Sequence, residues 1–386
     1  MRFAPEALAS AAQEAAGLQD FGGETFREGL AHYCHALEHE AKLNAIGQMA
    51  IPMGITGALA NRLRVTNWIK RHPEVLDERI EAPFVIVGLF RAGTTLLSSL
   101  LAKDARHRPL YRWEASDSTP PPTLDGIASD PRIEATRTQM AMIDQINPRF
   151  RVVQGEEPDG PTECIVLTGQ DFRSNVWEAM ANAPSYGAWL ANADHASAYA
   201  YHKRVLQVLQ SGGVRGRWTL KAPSHALQLK ALTDTYPDAR LILLHRDPVT
   251  LAASVCSLIT TLTGTFSDAD HSRYIATHWI DILERCTNAV EAFRREHPRI
   301  QIVDVLYSDL ARDPIAEIRR IYSAFGDSAE GQPLEAMRAH LAARPKHKFG
   351  AHAYTPEDFG LNPGELRERF KAYTDRYSVP QEYMGG

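Results

Sequence analysis

The chain has no excess of positive charge, no paired cysteines and no charged-then-apolar leader pattern, and each lack removes a class of protein. Its 42 lysines and arginines are outnumbered by 47 aspartates and glutamates, a formal charge of −5. Proteins that grip a phosphate backbone carry a net basic face, so nucleic acid is not an expected partner. The four cysteines, Cys34, Cys164, Cys256 and Cys286, stand far apart with no C-x-x-C pair. That spacing excludes a disulfide scaffold and predicts reduced, mostly buried thiols in a cytoplasmic setting. The opening residues, MRFAPEALASAAQEAAG, show no charged-then-apolar leader pattern. The weakly polar run Met49–Ala60 holds one proline and two glycines and is too short to cross a bilayer, and no transmembrane segment is expected. Repeats and low-complexity tracts are missing as well. What remains is a globular composition of 386 residues, 44% hydrophobic and 23% charged, long enough for one large domain or two ordinary ones.

A local absence says more. The apolar run Phe84-Val-Ile-Val87 stops at Gly88, a tight loop spans Leu89–Thr95, and helical spacing of apolar residues follows to Leu101. Gly88 and Gly93 have the G-x-x-x-x-G spacing of a phosphate loop, which turns backbone N–H groups and a helix N-terminus toward an anion. The lysine that should follow the second glycine is Thr94, and the cation sits inside the loop as Arg91. The anion cradle is kept while the lysine of triphosphate hydrolases is gone. A different phosphorylated ligand is therefore expected.

Along the chain, about 24–71 reads as helical, with Leu30, Tyr33, Leu37, Leu43 and Ile46 near helical spacing. Residues 116–131 form a turn-rich loop with consecutive prolines at 120–122, and 133–209 is mainly helical with interruptions at 155–161 and 182–187. Short strands are expected at Trp218–Lys221, Arg240–His245 and Ile300–Leu306, each followed by a helix: Ser224–Tyr236, Pro248–Thr260 and Pro314–Phe325. Asp247-Pro248 and Asp313-Pro314 read as an N-cap with proline in the first turn, and Gly326 as the stop of the last helix. The alternation predicts an α/β, P-loop-like three-layer fold: a central parallel sheet flanked by helices, plus a helical N-terminal extension over 1–80. The main domain then spans 81–386, with a helical insertion at about 116–210. Ligands of such sheets bind at the carboxyl ends of the strands, where Arg91, Lys221 and Arg246 all fall.

Taken together, these motifs resemble the sulfotransferases that use 3′-phosphoadenosine-5′-phosphosulfate (PAPS), especially the bacterial branch similar to tyrosylprotein sulfotransferases. Arg91-Ala92-Gly93-Thr94-Thr95 is similar to the family's R-x-G-T-T loop, which holds the 5′-phosphosulfate. Leu220-Lys221-Ala-Pro223 resembles the K-x-P that supplies a catalytic lysine. Arg246-Asp-Pro248, with Ser254 eight residues after the arginine, resembles the element that grips the 3′-phosphate. Tyr307-Ser-Asp-Leu310 matches a pattern near the adenosine, and Arg344-Pro-Lys346-His-Lys348 resembles the late loop that returns basic residues to the 3′-phosphate.

The chemistry suits the residue types. A guanidinium fork reads phosphate bidentately, and a lysine near the bridging oxygen offsets the charge left on the departing nucleotide. The acceptor hydroxyl needs a base. The resemblance to tyrosylprotein sulfotransferases implies Glu114. His225, four residues after Lys221, is the rival, because cytosolic small-molecule sulfotransferases carry a catalytic histidine two after the lysine. The implied reaction uses PAPS without a metal, on a hydroxyl of a small-molecule, lipid or carbohydrate acceptor, with the helical insertion binding that acceptor. Two other readings stay open: a phosphotransferase using a nucleoside triphosphate, and a nucleotide-binding protein without catalysis.

Overall fold

A computed structural model describes residues 3–149, 157–343 and 354–383. The chain divides into two compact units: Met1–Ile80 with Leu110–Arg215 and Thr261–Asp270, and Glu81–Pro109 with Gly216–Thr260 and His271–Gly386.

The first unit is helical. Its longer helices are Pro5–Ala16, Thr25–His39, Ala45–Arg71, Pro131–Ile146 and Ala196–Ser211. Asn44 and Asp130 cap two of them, their side chains accepting from the amides of Gly47 (2.9 Å) and Arg132 (3.0 Å). Residues 3–80, expected as an extension, share one core with the segment beyond residue 110. Tyr33 lies with its ring centroid 5.2 Å from both Trp177 and Tyr186, and Phe26, Leu30 and Phe172 are buried in the same cluster. Inside it Arg62 meets Asp171 at 2.9 Å, with both side chains almost fully buried. A buried charge is tolerated only when paired and hydrogen-bonded. Asp171 accordingly also accepts from Ser197 Oγ at 2.6 Å, and Arg62 Nε donates to the Phe21 carbonyl at 3.0 Å.

The second unit holds a five-stranded parallel sheet: β1 Phe84–Gly88, β2 His107–Pro109, β3 Arg217–Lys221, β4 Arg240–His245 and β5 Ile302–Leu306, in the spatial order β2-β3-β1-β4-β5. Helices flank it, as the alternation of strand and helix requires. β1 is central and buried at every residue; it pairs in register Ile86↔Lys221 with β3 and Gly88↔Leu244 with β4. At Gly88 a Cβ would come within 2.9 Å of the Leu244 carbonyl oxygen, so this close approach of strands needs glycine. All five carboxyl ends lie along one edge of the sheet.

Three local expectations changed. β2 was not foreseen. The helix expected over Ser224–Tyr236 is two pieces, a 3-10 turn at Pro223–Leu227 and a helix at Leu229–Thr235. Gln228, with φ −133° and ψ 31°, leaves helical geometry between them. The helix expected over Pro248–Thr260 runs to Phe266. It is long and apolar enough to span a bilayer, but 67% of that apolar stretch is buried inside the protein. The caps behave as read: Asp313 accepts from the Ala316 amide at 3.0 Å, and Gly326 closes its helix at φ 72°.

Candidate active site

The site begins with the loop that follows β1. Arg91 and Gly93 both take left-handed backbone conformations, φ 71° and 95°, in a segment where an arginine pays for that geometry in strain. The Ala92 amide is committed to the Leu89 carbonyl (3.1 Å), closing the turn. Leu96 and Leu97 are the first amides to bond back to the Gly93 carbonyl, at 3.0 and 3.4 Å. The amides of Thr94 and Thr95 therefore lie in the first turn of the helix Thr94–Leu101, ahead of its first internal bond, where an anion is favoured.

Lys221 ends β3, beside the loop. Its side chain is buried, only 1% exposed, and Nζ lies 3.5 Å from the hydroxyl of Thr95. The chain then turns through Pro223–Leu227, which carries His225, also buried.

β4 delivers Arg246. Its Nη1 donates to the Arg91 carbonyl at 3.2 Å, and its guanidinium carbon stands 4.0 Å from the centroid of the Tyr307 ring. Tyr307 itself follows the last residue of β5. Asp247 caps the next helix, accepting from the Val249 amide at 3.1 Å. Two turns along that helix, Ser254 Oγ accepts from Arg91 Nε (3.2 Å) and from the hydroxyl of Tyr354 (2.8 Å). With both lone pairs taken, the Ser254 hydroxyl is left to act as a donor. Arg91, Gly93, Thr95, Lys221, Arg246, Ser254 and Tyr307 thus converge in one unit at the carboxyl edge of the sheet. The sequence reading did not foresee Glu382, whose carboxylate takes Arg246 Nε at 3.0 Å and Nη2 at 2.8 Å. Lys346 and Lys348 lie outside the described residues.

Glu114 belongs to the helical unit. It sits in a short helix, Arg112–Ser116, fully buried, and its Oε2 accepts from the Tyr111 amide at 3.1 Å. The helix is clamped from two sides. Ser118 Oγ donates to the Glu114 carbonyl at 2.8 Å and Gln170 Nε2 to the Ala115 carbonyl at 2.9 Å. Asn61 joins these clamps, its Nδ2 donating to Gln170 Oε1 at 2.9 Å and its Oδ1 accepting from the Ser118 amide at 2.9 Å.

Comparison with known proteins agrees with this architecture. Residues 83–330 match the description "Sulfotransferase family". The crystal structure of sulfotransferase STF9 from Mycobacterium avium superposes with a TM-score of 0.90 at 30% identity, covering 98% of this chain and 97% of that one. STF1 from Mycobacterium tuberculosis H37Rv gives a TM-score of 0.85 at 32% identity, covering 95% and 98%. A curated relative from Mycobacterium bovis, omega-hydroxy-beta-dihydromenaquinone-9 sulfotransferase Stf3, is 24% identical over 310 residues, which is 77% of this chain and 75% of that protein.

Proposed function

This chain belongs to the sulfotransferase family and is an enzyme of sulfuryl transfer; on that premise we propose that its donor is PAPS and its acceptor a hydroxyl of a small molecule, lipid or carbohydrate. The observation that carries the reading is the meeting of Arg91, Lys221 and Arg246, cations from three strand ends, around one loop with open helix-end amides. Such a site fits a ligand with anionic groups at two positions, and offers no lysine in the place a triphosphate needs it.

In this reading the acceptor oxygen attacks the sulfur in line with the bond to the 5′-phosphate. That S–O bond breaks, its electron pair stays on the phosphate oxygen, and 3′-phosphoadenosine-5′-phosphate (PAP) leaves. Arg91 with the amides and hydroxyls of Thr94 and Thr95 holds the phosphosulfate end. Lys221 stabilises the charge growing on the bridging oxygen. Arg246 and the donating hydroxyl of Ser254 read the 3′-phosphate, and Tyr307 forms the floor beneath Arg246. No group in this scheme calls for a metal.

The proton of the acceptor goes to Glu114, with His225 as the rival base. Acceptor choice belongs to the helical region at about 116–210, and the hydroxylated menaquinone in the curated relative's name favours a lipid. Four separate buried cysteines fit a reducing, cytoplasmic compartment.

The test is transfer from sulfur-35-labelled PAPS to a panel of lipid, phenolic and sugar hydroxyls in the presence of chelator. Glu114→Gln should abolish most turnover while PAP binding persists, and His225→Ala should cost less. The reverse pattern would move the base to His225. Stabilisation by ATP with magnesium but not by PAP would overturn the donor assignment in favour of a phosphotransferase.

A further inference from the structure

Arg246 is the residue assigned above to the 3′-phosphate, yet its fork already holds an anion. Nε lies 3.0 Å from each carboxylate oxygen of Glu382, and Nη2 lies 2.8 Å from Oε2. Nη1 is turned to the Arg91 carbonyl. The Nε–Nη2 edge is the face of a guanidinium that matches carboxylate and phosphate alike, and it takes one of them at a time.

The backbone around Glu382 is held independently of that ion pair. The amides of Glu382 and Tyr383 donate to Asp247 Oδ2 at 2.9 and 3.0 Å. The Tyr383 hydroxyl donates to Glu357 Oε2 at 2.9 Å, and Arg367 donates to the Tyr383 carbonyl. Rotation about the side-chain bonds of Glu382 therefore frees Arg246 while the tail stays docked. The Arg246–Glu382 pair is partly solvated, with side chains 20% and 27% exposed. Exposure of that degree makes for a weak, exchangeable ion pair rather than a locked one.

We propose that Glu382 is an internal competitor for the 3′-phosphate: its carboxylate occupies the Arg246 fork until a 3′-phosphorylated nucleotide displaces it, and returns as the product leaves. The inference rests on the assignment of Arg246 to the 3′-phosphate. Two consequences follow from charge alone. A nucleotide without a 3′-phosphate leaves the Arg246–Glu382 pair in place, so Glu382 weakens only 3′-phosphorylated ligands and narrows their margin over ADP. A phosphate dianion beside a displaced carboxylate is repelled, so binding of donor and product is weakened together and release is quickened.

The experiment is calorimetric titration of PAP and of ADP into wild type, Glu382→Gln, Glu382→Ala, Arg246→Ala and the Arg246→Ala/Glu382→Gln double variant, each checked for an unchanged melting profile without ligand. Removing the competing charge should tighten PAP about two- to fivefold, the scale of a partly exposed ion pair, and leave ADP unchanged. That gain should vanish in the Arg246→Ala background. If Arg246→Ala loses the preference for PAP over ADP while both Glu382 variants bind PAP no better than wild type, Glu382 is a brace and the inference falls alone. If Arg246→Ala keeps the wild-type preference, the 3′-phosphate assignment falls and takes the inference with it.

Discussion

Tyr307 lies so close to Gly93 that a Cβ on the glycine would come within 2.5 Å of ring carbon Cδ2. The ring arrives from the end of β5 and the glycine from the loop after β1, and the same ring supports Arg246. Gly93 also sits at φ 95°, where any side chain is strained. Gly93→Ala should therefore cost about 1–3 kcal/mol of stability and weaken PAP binding. Adding Tyr307→Ala should recover the steric share but not the backbone share. A Gly93→Ala protein with wild-type melting temperature and PAP affinity would show that the loop adjusts freely.

Lys221 should matter once charge develops on the leaving oxygen. Lys221→Met, which keeps the buried volume, is expected to reduce single-turnover sulfate transfer roughly a hundredfold or more, the scale of one lost charge stabiliser. PAP affinity should change little by comparison, because the product complex carries no developing charge. Parallel loss of affinity and rate would make Lys221 a binding residue instead.

A third prediction concerns acid stability. Asp104, Tyr322, His107 and Thr219 form a buried relay. The Tyr322 hydroxyl donates to Asp104 Oδ2 at 2.8 Å, so it accepts from His107 Nε2 at 2.9 Å, and His107 Nδ1 accepts from Thr219 Oγ1 at 2.8 Å. That arrangement needs a neutral imidazole, and burial, outweighing the pull of Asp104, pushes its pKa down to about 4. The unfolded chain takes up this proton near pH 6.5 and the folded chain does not. The His107 contribution is thus complete above pH 6.5 and is lost as pH falls toward 4, at most about 3 kcal/mol in all. Buried His202, pushed down to about 3, adds to the same slope. Urea midpoints measured from pH 7 to pH 4 should fall steeply for wild type and less steeply for His107→Gln. Equal slopes would remove His107 from the account.

The sheet was legible where strands are short apolar runs bounded by turn residues, as at Phe84–Gly88 and Arg240–His245. β2 was not legible: His107-Arg-Pro109 has neither alternation nor an apolar run. It exists because an edge strand tolerates proline and because His107 is held by Thr219 and Tyr322. The helix Ser272–Glu296 did carry a readable signal in Ile275, Trp279, Leu283, Cys286 and Val290, all buried, though charged residues between them dilute it.

In the candidate site, the placement of Arg91, Lys221 and Arg246 was readable because each lies at or just beyond a strand end. Glu382 was not, since a lone acidic residue in a tail says nothing until the chain folds back on Asp247. The commitment of the Ala92 amide to Leu89 is likewise a property of the loop's conformation, invisible in R-x-G-T-T itself.

The strand order has a consequence for how the molecule is made. β1 emerges first, apolar at nearly every position, yet both of its neighbours, β3 and β4, lie beyond the helical segment 110–215. Until Arg217–Lys221 and Arg240–His245 exist, the strand that leads into the Leu89–Thr95 loop has two open edges and no sheet to join. Such a strand is a sticky intermediate on the ribosome, and its pairing waits on long-range closure. Substitutions that slow the arrival of β3 or β4 would lower the yield of folded protein without touching a single residue of the site.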